Sequence, residues 1–332
     1  MGPRVTITDV ARRAGVSTAT VSKVINARYG VASGTTSHVQ EVIKELGYES
    51  SLVARSLLSH KTNVIGILVA EFEPFSAEIL KGASTGLGDS GYALLAYTGG
   101  QITGGVGWER RYLSRLSGTL IDGAVLVTPT VLEADASIPV VAIDPHAGPS
   151  GLPTVDSDNF TGAVNAVEHL LKLGHRRIGF IGGRSDLESS RLREAGYAKA
   201  LADAGIAVDP ALMRAGNYRK ESTHEPAREL LTLPERPTAI FAANDLSAIG
   251  TLEIARDLGL DVPGELSIIG FDDIPESALT NPPLSTVHQP IQQMGAAAIA
   301  LLITLMDGAP VEQTHLRLVT SLVERGSTAP PR

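Results

Sequence analysis

Residues 6–26 read TITDVARRAGVSTATVSKVIN, and this stretch decides the architecture of the amino-terminal part. Thr6 and Asp9 have the spacing of a capping box, which satisfies two amide groups at a helix start. Ile7, Val10, Ala11 and Ala14 follow at helical spacing. Gly15 can adopt the positive φ of a tight turn. Ser17 is a natural cap for a second helix. In that helix Ala19, Val21, Val24 and Ile25 are expected inward, with Thr18, Thr20, Ser22 and Lys23 outward, and Asn26 ends it. Two short helices joined by a glycine turn make a helix-turn-helix. A third helix, expected from Thr35 to Leu46 with Gly47 as its stop, places Val39, Val42, Ile43 and Leu46 on one face. It covers the apolar sides of the other two.

Charge supports this division of the chain. Residues 1–61 hold eight cations against four anions, a net +4, whereas the whole chain of 332 residues carries −8. The rest therefore carries −12. A basic head on an acidic body is the asymmetry expected when only the head meets nucleic acid. The second helix offers small polar groups and a lysine on its free face. Such a face fits the major groove, about 12 Å wide, where Thr and Lys reach base edges and phosphates.

The stretches ITDVARRAGVSTATVSKVIN and TTSHVQEVIKELGY resemble the DNA-binding domain of the lactose-repressor (LacI/GalR) family of bacterial transcription regulators. D-V-A, A-G-V-S, T-V-S and L-G-Y stand at the family's spacing. The likeness continues through VIGILV, IDGAVLV, GHRRIGFIGG, RLREAGY, FAANDLSAIG, LSIIGFDDI and NPPLSTVHQP. Two departures remove backbone-phosphate contacts usual in the family: Ser50-Ser51 stand where it has Pro-Asn, and Thr36 where it has Arg. The resemblance implies a helix-turn-helix domain over 1–49 and a hinge helix and linker over 50–61. It implies an effector-binding and dimerisation body over 62–332. DNA contacts are expected from Thr6, Ser17, Thr18, Ala19, Thr20, Ser22, Lys23 and Asn26. In the hinge, Leu57 would wedge between base pairs, Ala54 would let two hinge helices approach, and Arg55 would reach phosphate. Eight residues are too few for a helix stable alone, so SLVARSLL would fold on the operator.

The body alternates apolar runs with amphipathic stretches. The runs are Val64–Ala70, Tyr92–Tyr97, Ala124–Thr128, Val140–Ile143, Ile178–Ile181, Thr238–Ala242 and Leu266–Gly270. The helical stretches include Ser76–Asp89, Asn159–Leu173, Arg191–Ala204, Leu246–Leu258 and Ile291–Met306. Apolar strands separated by helices predict parallel sheets covered on both faces. The fold class is thus α/β with two lobes, and the resemblance implies a body like a periplasmic binding protein. Lobe 1 takes about 62–158 and 291–324, and lobe 2 about 159–290. A last strand is expected near Leu316–Val323, with a frayed tail after it.

Ligands of such folds sit beyond the carboxyl ends of the strands. Asp144, Asn244 and Asp272 follow strands, and Arg193 is expected to open a helix after Gly182-Gly183. Asp245 reads as a helix cap. By resemblance Asp144, Arg193, Asn244 and Asp272 contact the effector, and Gln289 matches a further contact position. Carboxylates, an arginine and an amide in one cleft suit adjacent hydroxyls of a sugar. Phe75, Tyr218 and Trp108 are candidates for an aromatic platform or for packing.

Other functions lack their signatures. The chain has no cysteine, which excludes disulfides, thiolate metal sites and cysteine nucleophiles. Gly82-Ala83-Ser84-Thr85-Gly86 fits the hydrolase pattern G-x-S-x-G, but it lies in a helical stretch rather than a strand-to-helix elbow. There is no Walker lysine and no G-x-G-x-x-G. The eight histidines show no metal spacing; His38, His169 and His175 read as surface or capping residues. No cofactor is expected. Apolar runs such as Val64–Ala70 fall far short of the about 20 residues that span a membrane, and MGPRVTITDV has no apolar leader. The reading is a cytoplasmic, non-enzymatic DNA-binding regulator, a homodimer with a tetramer left open. It binds a palindromic operator under control of a sugar, or alternatively of a metabolite such as a nucleobase. A sugar-binding transport protein would share the body but need a leader and no DNA head.

Overall fold

The computed structural model describes residues 5–25, 29–48, 61–99, 107–130, 137–149 and 151–332. The chain divides into two compact units, a head and a body. In the head, α1 (Ile7–Ala14), α2 (Thr18–Ile25) and α3 (Ser33–Leu46) pack around Val10, Val21 and Val39, which are fully buried. The capping box forms: the Asp9 amide donates to Thr6 Oγ1 at 3.4 Å, and the Thr6 amide donates to Asp9 Oδ2 at 2.9 Å. Gly15 and Gly47 close their helices with φ of 64° and 60°. That conformation costs glycine little and most residues more.

Two details differ from the expectation. Helix α3 starts at Ser33, two residues before Thr35. Ala19 is exposed rather than inward. Val21 and Val24 set the buried stripe of α2, and at about 100° per residue Ala19 lies some 200° round the helix from Val21.

The body holds two parallel sheets. The first runs in the order β11-β5-β4-β3-β1-β2 and joins β1 (Val64–Val69), β2 (Ala93–Thr98), β3 (Gly123–Val127), β4 (Val140–Ile143), β5 (Thr154–Ser157) and β11 (His315–Leu318). The second runs β7-β6-β8-β9, from β6 (Ile178–Gly182), β7 (Met213–Ala215), β8 (Ala239–Ala242) and β9 (Ser267–Ile269). Every residue of β1, β3, β4, β6 and β8 is buried, as apolar strands covered on both faces require. In the first lobe α4 (Pro74–Leu87) lies against α10 (Ile291–Met306). The contact is backbone to backbone. A Cβ on Gly82 would collide with the Gln292 carbonyl, and one on Gly86 with the Ala296 backbone. The two glycines of the G-x-S-x-G pattern are therefore close-packing residues inside a helix. In the second lobe α6 (Asn159–Lys172) packs on α7 (Glu188–Asp203), and α8 (Lys220–Leu231) on α9 (Asp245–Asp257).

The single strand expected over Leu316–Val323 is two. Strand β11 completes the first sheet, whereas β12 (Ser321–Val323) pairs antiparallel with β10 (Thr286–His288). The chain past Val323 is docked, not frayed. Ser327 is fully buried, and its carbonyl accepts from the Ile268 amide at 2.8 Å. His175, buried, bonds Thr238 Oγ1, Ser267 Oγ and the Ala329 carbonyl; His169, also buried, bonds Thr328 at 3.0 Å. Both histidines are anchors of the tail rather than surface residues. Burial lowers the pKa of each ring.

Candidate effector cleft and DNA-binding face

In the head, Thr18, Ala19, Ser22 and Lys23 share one side of α2, spanning about 140° of arc. Thr18, Ala19 and Lys23 are exposed and Ser22 is half-buried. Ser17 and Thr20 are committed to the helix start, with Ser17 Oγ taking the Thr20 amide at 3.1 Å and lying 2.9 Å from its hydroxyl. Thr6 is exposed but spends its side chain in the capping box. Asn26, Ala54, Arg55 and Leu57 lie outside the described residues. Tyr29, fully exposed, is a feature that no periodicity pointed to.

In the body, strand ends deliver the cleft. Asp144 follows β4 in the first lobe with φ 47°. Asp272 follows β9 in the second lobe. Arg193 lies in the second turn of α7, which begins at Glu188, so it does not open the helix. Only 4% exposed, it donates from Nε to Asn159 Oδ1 at 2.9 Å and from Nη1 to Asp272 Oδ1 at 3.2 Å and to the Ala243 carbonyl. Its guanidinium lies 3.8 Å from the Phe271 ring centre and 5.5 Å from that of Tyr218, in cation–π range. Gln289 donates to Asp272 Oδ1 at 2.6 Å and accepts from Ser157. Asn244, not Asp245, caps α9: its Oδ1 takes the Ser247 amide at 3.0 Å, and its Nδ2 donates to the Tyr218 carbonyl at 3.1 Å. Asp245 is a buried hub that accepts from Thr286 Oγ1 and the Ile274 amide at 3.0 Å. Burial and the neighbouring Asp272 raise its pKa well above the carboxylate range.

These groups open on one cavity of about 640 Å³, which Asp144, Arg193, Tyr218, Asn244, Asp272, Gln289, Phe75 and Trp108 all line. Such a volume suits a small ligand. Burial pushes Asp144 and Asp272 each up to about 6, against the opposing pull of Arg193. Tyr218 has φ 62°, and its ring takes the space that a Cβ on Gly183 would fill. Its buried hydroxyl finds no partner among the described residues. Trp108, at the start of α5 (Trp108–Leu116), is 3% exposed and packs edge-on against Tyr112, with centroids 5.9 Å apart, so packing holds most of it.

The rim brings residues that sequence reading missed. Glu71 pairs with Arg219 across the two lobes, and His146 Nδ1 lies 3.3 Å from Asp186 on another part of the rim. The Glu188 amide donates to the His146 carbonyl at 2.9 Å. Glu73 lines the cavity as well, and burial, then Asp272 and Glu71, push it up to about 7. Glu71 and Glu73 follow β1 as Asp144 follows β4, so the strand-end rule would have found them.

A helix-turn-helix head joined to a two-lobed body with a ligand-sized cleft is the build of a bacterial transcription regulator. The comparisons agree: residues 6–51 match the bacterial regulatory proteins of the lacI family, and residues 167–328 a periplasmic binding protein-like domain. The repressor CytR of Escherichia coli K12 is 35% identical over 331 residues, covering 97% of this chain and 96% of CytR. The ribose operon repressor of the same strain is 35% identical over 332 residues, covering 97% and 99%. A PurR repressor of Pectobacterium carotovorum is 35% identical over 333 residues, covering 98% and 97%. Among solved structures, the Lac repressor dimer bound to operator and the anti-inducer ONPF matches with TM-score 0.85 and 27% identity, covering 98% of this chain and all of that one. The complex of the regulator CelR with cellobiose matches with TM-score 0.72 and 32% identity, over the same shares. The chain belongs to the lacI family and is a DNA-binding transcriptional repressor of it. No described helix is long and apolar enough to cross a membrane.

Proposed function

We propose that the chain represses transcription as a dimer on a palindromic operator, and that a small neutral sugar in the cleft controls it. One observation carries the sugar: Asp144 from one lobe and Arg193, Asn244 and Asp272 from the other line a single cavity. Carboxylates accept hydroxyl protons, while an arginine and an amide donate to hydroxyl oxygens. Two relatives point the same way, the ribose operon repressor and the CelR–cellobiose complex. The dimer follows from reach, since one head of this size reads too few base pairs for specificity. Thr18, Ala19, Ser22 and Lys23 would read the groove.

Phe75 and Tyr218 on the same cavity favour a second reading, a flat nucleobase held between aromatic rings. Thermal unfolding with ribose, cellobiose and hypoxanthine separates the two, followed by a mobility shift on a palindromic operator with the compound that binds. A raised Tm with either sugar and an altered shift support the first reading. A response to hypoxanthine alone supports the second. Binding of any of them that leaves operator affinity untouched sinks both.

A further inference from the structure

The head contains two tyrosines, and its core uses one of them. Tyr48, just past α3, packs with the residues around Val10, Val21 and Val39. Tyr29, in the connection from α2 to α3, is fully exposed and makes no hydrogen bond among the described residues. No other large apolar side chain among the described residues is as exposed. The chain on either side is held: Ile25 and Val31 pack on the head's core, and Gly30 turns the backbone between Tyr29 and Val31 with φ 97°. The connection also borders the reading face of α2. A Cβ on Gly30 would lie 3.8 Å from Lys23 Nζ. Lys23 stands in the last turn of α2, is exposed and forms no ion pair among the described residues. Several other donors of the head are engaged: Ser17 with Thr20, Thr36 with the Ala32 carbonyl, Arg12 with Asp9 and Arg13 with Glu45. Lys23 and Tyr29 thus offer an ammonium and a phenol from one corner of a basic head.

A helix that enters the major groove in this motif reads bases with its amino-terminal residues. Its last turn and the chain that follows then come to the wall of the groove, where the phosphates run. A tyrosine suits that position, because its hydroxyl donates to a phosphate oxygen while its ring covers the adjoining sugar. An ammonium beside it meets the charge of the same strand. We propose that Tyr29 is an operator contact, its hydroxyl donating to a backbone phosphate next to the one that Lys23 neutralises. The proposal rests on the reading of α2 as the groove helix, and it adds a contact with two distinct properties. A phenol is neutral, so it displaces no counterion, and the affinity it supplies does not vary with salt. Phosphates look alike at every base pair, so the contact strengthens binding to all sequences and favours none.

The whole wild-type chain selects its own probe from a pool of randomised duplexes. Mobility shifts on the recovered duplex then compare Tyr29→Phe, Tyr29→Ala and Lys23→Ala from about 50 to 200 mM KCl. Tyr29→Phe removes only a hydroxyl from an exposed side chain, so thermal unfolding of the chain should not change. We expect this variant to bind about tenfold more weakly than wild type at every salt concentration, with the same slope, and to select the same consensus. Lys23→Ala should instead flatten the slope. Wild-type affinity in Tyr29→Phe overturns the proposal even where Tyr29→Ala is weak, because the ring and not the hydroxyl would then make the contact. An altered consensus in Tyr29→Phe, the mark of a base contact, overturns it too. Impaired binding in Lys23→Ala with none in Tyr29→Phe leaves the groove reading standing without this contact. No loss in either variant overturns both, as does a selection that recovers no duplex.

Discussion

Arg193 has a structural role, whatever it does for a ligand. It neutralises Asp272 in the interior and joins α6, through Asn159, to the end of β8. Removing one partner of a buried pair leaves the other charged and unsatisfied, at a cost of about 3–5 kcal/mol. Arg193→Ala should therefore lower the urea midpoint of the body as well as any ligand response. An unchanged midpoint would show that Asp272 is readily neutralised by a proton. Asp144 behaves oppositely. Its pKa is raised to about 6 by burial, so the native state holds its proton more tightly than the unfolded chain does. Its contribution is present at pH below about 4, fades as pH rises toward 6, and is absent above that. Asp144→Asn should then stabilise the protein at pH 8 by about 1–3 kcal/mol relative to pH 4, as thermal unfolding at the two pH values would show. On α2, Lys23→Ala should weaken operator binding and lower the salt slope by about 0.9 per head. Lys172→Ala, on an exposed turn of α6 beside Glu168, should change neither.

At the scale of elements, the α4–α10 contact depends on glycines where two helix backbones touch. Gly82→Ala should destabilise the first lobe by about 1–3 kcal/mol, because neither backbone can yield without moving its helix. Calorimetry that found no change would mean the helices separate freely. The elements themselves were mostly legible in the sequence. Helix α10 spans the Ile291–Met306 read from its apolar run, and β4 the predicted Val140–Ile143. Helix starts were less so: α7 and α4 begin three and two residues before Arg191 and Ser76. The first turn of a helix is not yet covered by packing, so periodicity does not report it. In the cleft, strand ends pointed to Asp144 and Asp272, and the same rule applied to β1 gives Glu71 and Glu73, whereas pairings such as Glu71 with Arg219 depend on how one lobe meets the other. The tail from Gly326 to Pro331 has no apolar period at all. It is held by hydrogen bonds to His175 and Ser267, which no local pattern encodes.

At the scale of the molecule, both lobes are assembled from distant stretches of chain. The first sheet draws its edge strand β11 from beyond α10, and the second lobe takes β12 and the docked tail later still. Contacts of such sequence separation are slow to form and close large loops. During synthesis, therefore, neither lobe can be completed when its own strands emerge from the ribosome. The first must wait for His315–Leu318 and the second for Ser321 onward. Until then β5 shows an open edge, and the grooves around His169 and His175 lack the segment that fills them. Nascent chains arrested at Leu318 should be degraded by protease through the whole body, and chains extended past Ala329 should resist it. The same short final stretch of chain thus completes both lobes, the edge of the first sheet and the covering of the second being supplied within a few residues of each other.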